Sequence, residues 1–202
     1  MGISLQQFEQ MKARVSSPRG KAASAIESVA TRSGNATGII LGIDPSLRGT
    51  GFGVIRTAKG QLQMLACGTI RCPATWVRSR CLANISKTLR TVVQQHAPTV
   101  CVVEGLFFAQ NLQTALIMGE ARGAAMATVA EAGLDIYEIA TRKVKQAIVG
   151  YGAAQKLAVA KMVQRMLNLA ELPEPDAADA LALALVHAQS QSRFSLNSPK
   201  KI

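Results

Sequence analysis

Acidic residues are scarce in this chain, with 12 aspartates and glutamates set against 23 lysines and arginines in 202 residues. The net charge of +11 and pI near 10.0 point to a polyanionic partner, nucleic acid first and an anionic membrane surface second. No apolar run approaches the length of a membrane span, so a spanning protein is excluded. The N-terminus lacks the apolar core of a signal peptide. Its basic, serine-containing character leaves a transit peptide open, but the expected compartment is cytoplasmic. No C-x-x-C pair occurs among Cys67, Cys72, Cys81 and Cys101, which speaks against zinc or a disulfide framework. Cys67 and Cys101 fall in apolar, strand-like runs, as buried free thiols do in a reducing cytosol.

What is present is a domain's worth of apolar sequence, 49% of all residues. Residues 1–36 differ from the rest. Leu5, Phe8, Met11 and Val15 have helical spacing, and a basic, small-residue linker follows. These residues are expected to form a flexible basic extension, carrying five of the 23 basic residues. A globular domain is expected over 37–190, and a polar, basic tail over 191–202.

Within the domain, "GIILGID", "GTGFGVIRT" and "LQMLACGTIR" read as a meander of three strands. A helix from Trp76 to His96 follows, with Leu82, Ile85, Leu89, Val92 and Val93 on its inner face. "TVCVVE" is a buried strand, "NLQTALIMGEARGAAMATVAEAG" a long helix and "DIYEIA" a fifth strand. Helical sequence runs from Thr141 to about Leu169, and a last helix begins at "DAADALALAL". The expected fold class is α/β, three layers around a five-stranded mixed sheet.

The chain has four aspartates, at 44, 135, 176 and 179. Asp44 closes the first strand and Glu104 closes "TVCVVE", at strand ends where open α/β sheets build their sites. Asp176 and Asp179 share one helix face. If that helix packs beside the sheet, four carboxylates from three distant segments meet. Such a cluster raises its members' pKa values and strains the fold unless a cation neutralises it. Oxygen donors suit hard ions such as Mg²⁺ or Mn²⁺. Taken singly, Asp176 reads as a helix-cap residue and Glu104 as an edge charge; the set of four favours a metal site.

"GIILGIDPSLRGTGFGVI", "VVEGLFFAQN", "IATRKVKQAIVGYGAAQK" and "DAADALALALVHA" together resemble the RuvC family of Holliday-junction resolvases, within the ribonuclease H-like superfamily. The resemblance spans about residues 38–190. It implies a ribonuclease H-like fold and a homodimeric, Mg²⁺-dependent endonuclease that nicks two strands of four-way junction DNA symmetrically. By the same resemblance Asp44, Glu104, Asp176 and Asp179 are catalytic metal ligands, Lys145 and Lys156 contact DNA, and Phe107 enters the junction core. The family's association with a branch-migration motor is a further possible partnership. Two departures stand out: residues 1–36 precede the usual start, and Ser46 replaces the usual glycine after "DP".

Phosphodiester hydrolysis on such a set uses two ions about 4 Å apart, serving both ends of an in-line displacement, with Asp44 bridging them. His187 is not needed. It lies roughly 12 Å along the helix from Asp179, at 1.5 Å per residue, and reads as a core or surface residue. His96 reads as a partner for a helix C-terminus. Arg142, Lys143 and Lys161 extend the basic surface around the "GYG" turn that Lys145 and Lys156 flank. Gly119, Gly123, Ala124 and Ala125 form a small-residue face, read either as internal packing or, by the resemblance, as a dimer contact. Phe107 stands beside acids in a chain with 4% aromatics, placed to stack on an unpaired base; one of Phe107 and Phe108 is expected to pack inward. The "GIDPSLRGTG" opening also resembles actin-like ATPases and sugar kinases, but 202 residues leave no room for their duplicated domain. A non-catalytic junction binder gains nothing from carboxylates near phosphates.

Overall fold

β-Branched and apolar runs punctuated by glycine build the first three strands, β1 (Gly38–Asp44), β2 (Gly49–Ala58) and β3 (Gln61–Arg71). This computed structural model describes residues 38–58, 60–105, 111–191 and 199–202. The expected extension over 1–36 lies outside the described residues. After the meander come α1 (Arg78–His96), β4 (Val100–Glu104), α2 (Leu112–Glu131) and β5 (Asp135–Ile139). Helices α3 (Thr141–Val149), α4 (Lys156–Met166) and α5 (Pro175–Gln191) complete the body, and β6 (Lys200–Lys201) ends it.

Among the described residues the sheet has six strands in the order β3-β2-β1-β4-β5-β6, not five. β1, β4 and β5 are parallel; the other pairings are antiparallel. The additional strand comes from the C-terminal segment expected to be a tail. Lys200 pairs with Glu138 and Lys201 with Tyr137, and Lys201 Nζ lies 2.8 Å from Asp135 Oδ2. Two lysines carry no strand pattern of their own, so only the open edge of β5 gives them one. The helical sequence from Thr141 also divides, because α3 stops where Gly150 takes φ 98°.

Alternation along the strands sorts the core into two layers. Leu41, Ile43, Cys101 and Val103 face α1 and α2, whose inward residues include Cys81, Ile85, Leu89, Ala121 and Ala125. On α1, Leu82 and Val93 are only partly buried against this cluster, and Cys81 is fully buried alongside Ile85 and Leu89. Ile40, Ile55 and Val102 face α3, α4 and α5. The parity of β1 and β4 therefore directs Asp44 and Glu104 toward the second layer.

Candidate active site

The register fixes the first two carboxylates. Ile43 pairs with Val103 across the parallel β1–β4 ladder, so Asp44 and Glu104 follow at adjacent carboxyl ends. Pro45 is buried and ends β1, and the loop beyond it is tied by Thr50, whose hydroxyl donates to the Ser46 carbonyl and accepts from the Ser46 N–H at 3.2 Å. Ser46 adopts no positive φ, so the turn does not require glycine.

Helix α5 brings the other two. Pro175 opens it, where a missing N–H costs nothing. Its body is apolar on every side, and Leu181, Leu183 and Leu185 are buried. What lets it reach the sheet is a pair of glycines. A Cβ on Gly51 would stand 2.0 Å from the Asp176 carbonyl oxygen, and one on Gly42 would stand 1.9 Å from that of Ala180. The α5 backbone thus lies directly on β1 and β2, and its first turns carry Asp176 and Asp179 to the end of β1.

The electrostatics bear the marks of that convergence. Burial, then Glu104 through its charge and a shared hydrogen bond, then the charge of Asp179, raise the Asp44 pKa to about 8, with Lys156 opposing. Burial also raises Asp179, against the pull of Lys156 and Lys145. Lys156 Nζ lies 3.2 Å from Asp179 Oδ2 and 3.4 Å from Asp176 Oδ1. Burial alone would lower the lysine's pKa, but Asp179, Asp176 and Asp44 outweigh it and the net shift is upward. Both lysines expected to meet DNA thus act on Asp179 through their charge, and Lys156 also contacts Asp176 and Asp179 directly. Glu104 is held from the far side: Thr141 Oγ1 donates to its Oε1 at 2.6 Å.

All four carboxylates offer hard oxygen donors, and a proton retained by Asp44 to about pH 8 marks a surplus of negative charge that a divalent cation would relieve. The donor set therefore fits Mg²⁺ or Mn²⁺. Among the described residues, no three acidic, histidine or cysteine side chains already close on one centre. Asp176 and Asp179 instead share the Lys156 ammonium. For these carboxylates to hold a metal ion, that ammonium would have to withdraw. Lys156→Ala is expected to tighten Mn²⁺ binding to the DNA-free protein, read by calorimetry. Its thermal stability should change little, since the lysine side chain of the pair is 58% exposed and screened by solvent. Unchanged metal affinity would show that the lysine does not occupy the cation's place.

Other expectations resolve individually. Phe107 and Phe108 lie outside the described residues. His187 is buried against Tyr137, with ring centroids 4.7 Å apart, and burial lowers its pKa; it belongs to the core. His96 is the last residue of α1. Cys72, Cys81 and Cys101 are buried free thiols, while Cys67 is only half-buried because it lies toward the outer strand β3. On α2 the small residues split between two faces. Ala125 packs inward, whereas a Cβ on Gly119 or Gly123 would meet nothing. The sequence reading missed the roles of Gly42, Gly51 and Thr141. The alternating glycines of "GTGFG" were the available signal for a backbone lying against that face.

Comparison with known proteins places the fold in a family. The family model described as crossover junction endodeoxyribonuclease RuvC matches residues 40–187. RuvC of Pasteurella multocida is 45% identical over 152 residues, covering 75% of this chain and 80% of that one. RuvC of Acinetobacter baylyi is 43% identical over 157 residues, covering 78% and 86%. Among solved structures, Thermus thermophilus RuvC in complex with a Holliday junction substrate superposes with a TM-score of 0.74 at 30% identity, covering 82% of this chain and 99% of that one. The yeast mitochondrial resolvase Ydc2 shares the fold alone, with a TM-score of 0.58 at 12% identity over 78% and 82% of the two chains. A sheet that sets Asp44 beside Glu104, a helix that adds Asp176 and Asp179, and a family match across nearly the whole domain lead to one assignment: the chain belongs to the RuvC family of crossover junction endodeoxyribonucleases.

Proposed function

We propose that the chain resolves four-way DNA junctions in the cytoplasm by paired, symmetric phosphodiester hydrolysis, acting as a Mg²⁺-dependent homodimer in recombination and repair. The observation that carries this reading is the convergence of Asp44, Glu104 and Asp179 at one end of the sheet, where burial and the charges of Glu104 and Asp179 hold the Asp44 carboxyl well above the usual carboxylate range. Asp44, Glu104, Asp176 and Asp179 would hold the ions, with Mn²⁺ able to substitute. When bound, Mg²⁺ supplies an activated water and relieves charge on the leaving oxygen. Lys145 and Lys156 lie where they can hold phosphates beside the carboxylates. Exposed Arg142, Lys143 and Lys161 continue that basic surface.

The dimer reading draws support from α2. Leu112 and Leu116 are 77% and 58% exposed, and Gly119 and Gly123 continue their stripe at helical spacing. A second copy would cover this face. A branch-migration motor is a further proposed partner. Among the described residues no helix is long and apolar enough to cross a membrane.

The deciding experiment incubates the purified protein with a synthetic four-way junction and Mg²⁺. Paired nicks at symmetric positions are expected; binding without nicking would instead support a non-catalytic junction binder. Phe107 is proposed to stack on a base at the junction centre, a contact worth about 1–3 kcal/mol. Phe107→Ala should therefore slow cleavage of intact junctions more than of substrates with bases already splayed, with the melting temperature unchanged. If Phe108→Ala gives that pattern instead, the two rings exchange roles.

A further inference from the structure

We infer that Thr141 is a positioning residue for the metal site, holding the Glu104 carboxylate in the orientation a metal ion requires. The inference rests on the four-carboxylate reading above. Thr141 is the first residue of α3, and the helix-capping position before it is occupied by Ala140, which has no side-chain cap. A threonine at the capping position would turn its oxygen to the free N–H groups of the first turn; Thr141 sits one residue further in, which frees its hydroxyl for another partner. Here the hydroxyl donates to Glu104 Oε1 at 2.6 Å, across 37 residues of sequence. Because a hydroxyl has a single proton, this contact fixes one lone pair of one oxygen and leaves the remainder of the carboxylate to face Asp44.

The main chain of the same residue is fixed separately. Arg122, on α2, donates from Nε to the Glu104 carbonyl oxygen at 3.2 Å and pairs through Nη2 with Glu138 on β5. The Arg122 side chain is only 12% exposed, so this brace is shielded from solvent. Beyond it, the Gly105 N–H donates to the Ile139 carbonyl at 2.9 Å, closing the β4–β5 ladder past the last strand residue. Glu104 therefore has its backbone anchored by Arg122 and β5, while its carboxylate is aimed by Thr141. Asp176 and Asp179 contact Lys156, and Asp44 contacts Glu104 itself. The hydroxyl holds an orientation without adding charge, so it does not compete with a metal ion as a cationic side chain would.

The test compares Thr141→Val, which keeps the shape and removes the hydroxyl, with Thr141→Ser, which keeps the hydroxyl. Mn²⁺ binding is titrated calorimetrically without DNA, and cleavage is followed against Mg²⁺ concentration. Thr141→Val should raise the Mn²⁺ dissociation constant and the Mg²⁺ midpoint about tenfold, the scale of a hydrogen bond to a charged group, while the rate at saturating Mg²⁺ falls less than about threefold. Thr141→Ser should restore both midpoints to within about twofold. Asp44→Asn, titrated beside them, tests the underlying reading. If it loses Mn²⁺ binding while Thr141→Val matches wild type, the positioning role is overturned and the carboxylate site stands. If Asp44→Asn binds Mn²⁺ as wild type does, the carboxylate reading itself fails. Equal metal midpoints for the valine and serine variants, with a lowered melting temperature in both, would assign Thr141 to helix packing and overturn the inference.

Discussion

Asp44→Asn is expected to abolish junction cleavage while making the metal-free protein more stable at alkaline pH. The loss of activity should exceed about a hundredfold, because even groups one step removed from a metal change activity 10–100-fold. Junction binding should persist or tighten as repulsion toward phosphate falls. The stability gain follows from linkage. Asp44 titrates from 3.8 in the unfolded chain to about 8 when folded, so the folded state retains a proton that the unfolded chain releases. Its contribution is fully present below pH 3.8 and is lost as pH rises toward about 8. The raised Asp179 acts in the same sense. Metal-free wild type should therefore lose melting temperature across that window, and the asparagine variant should lose less. The gap between them should widen up to about pH 8 and then level off. Saturating Mg²⁺ should raise the wild-type melting temperature most where the carboxylates are ionised. A gap independent of pH, or substantial cleavage by the variant, would remove Asp44 from the centre of the site.

Gly42→Ala should be the most damaging single-methyl change in the domain. Its new Cβ would meet the Ala180 carbonyl oxygen at 1.9 Å and the Ala184 backbone nitrogen at 3.2 Å, both parts of a helix backbone that cannot rotate away. Helix α5 must retreat, and Asp176 and Asp179 retreat with it. A loss of about 3 kcal/mol, the upper part of the usual overpacking range, corresponds to a melting-temperature drop of about 6–12 °C. Cleavage should fall further than stability alone explains, because ligand geometry tolerates little displacement. Gly38→Ala is the control on the same strand and face, since its Cβ would meet only Thr99 and Thr57 hydroxyls at 3.7 and 3.8 Å. Equal melting temperatures for the two variants would show that α5 does not rest on Gly42.

Much of this is legible in the sequence alone. The meander, the carboxyl-end positions of Asp44 and Glu104, and the shared face of Asp176 and Asp179 all follow from periodicity and spacing. Convergence itself was conditional on α5 packing beside the sheet, and that condition is met through backbone contact at Gly42 and Gly51, which composition alone does not announce. Thr141 was invisible for a related reason. At a helix start its hydroxyl had a local use available, and only the fold brings Glu104 within reach. Lys200 and Lys201 form a strand because β5 offers an unpaired edge, not because their sequence favours one. The outward stripe of Gly119 and Gly123 was ambiguous, since a small residue reads alike whether it faces a neighbouring helix or solvent.

The order of the chain gives the docking of α5 a consequence during synthesis. Asp44 and Glu104 leave the ribosome early, whereas Asp176 and Asp179 emerge only with the last long helix. Domains condense as their sequence becomes available. Until α5 arrives, a nascent chain carries half of its acidic set and a bare apolar sheet face ending in Ile40, Ile55 and Val102. On the four-carboxylate reading, completion of the hydrophobic core and completion of the metal site would be one event, and a fragment interrupted before residue 175 should be both aggregation-prone and unable to cleave DNA. By that reading the fold itself would keep an unfinished copy silent.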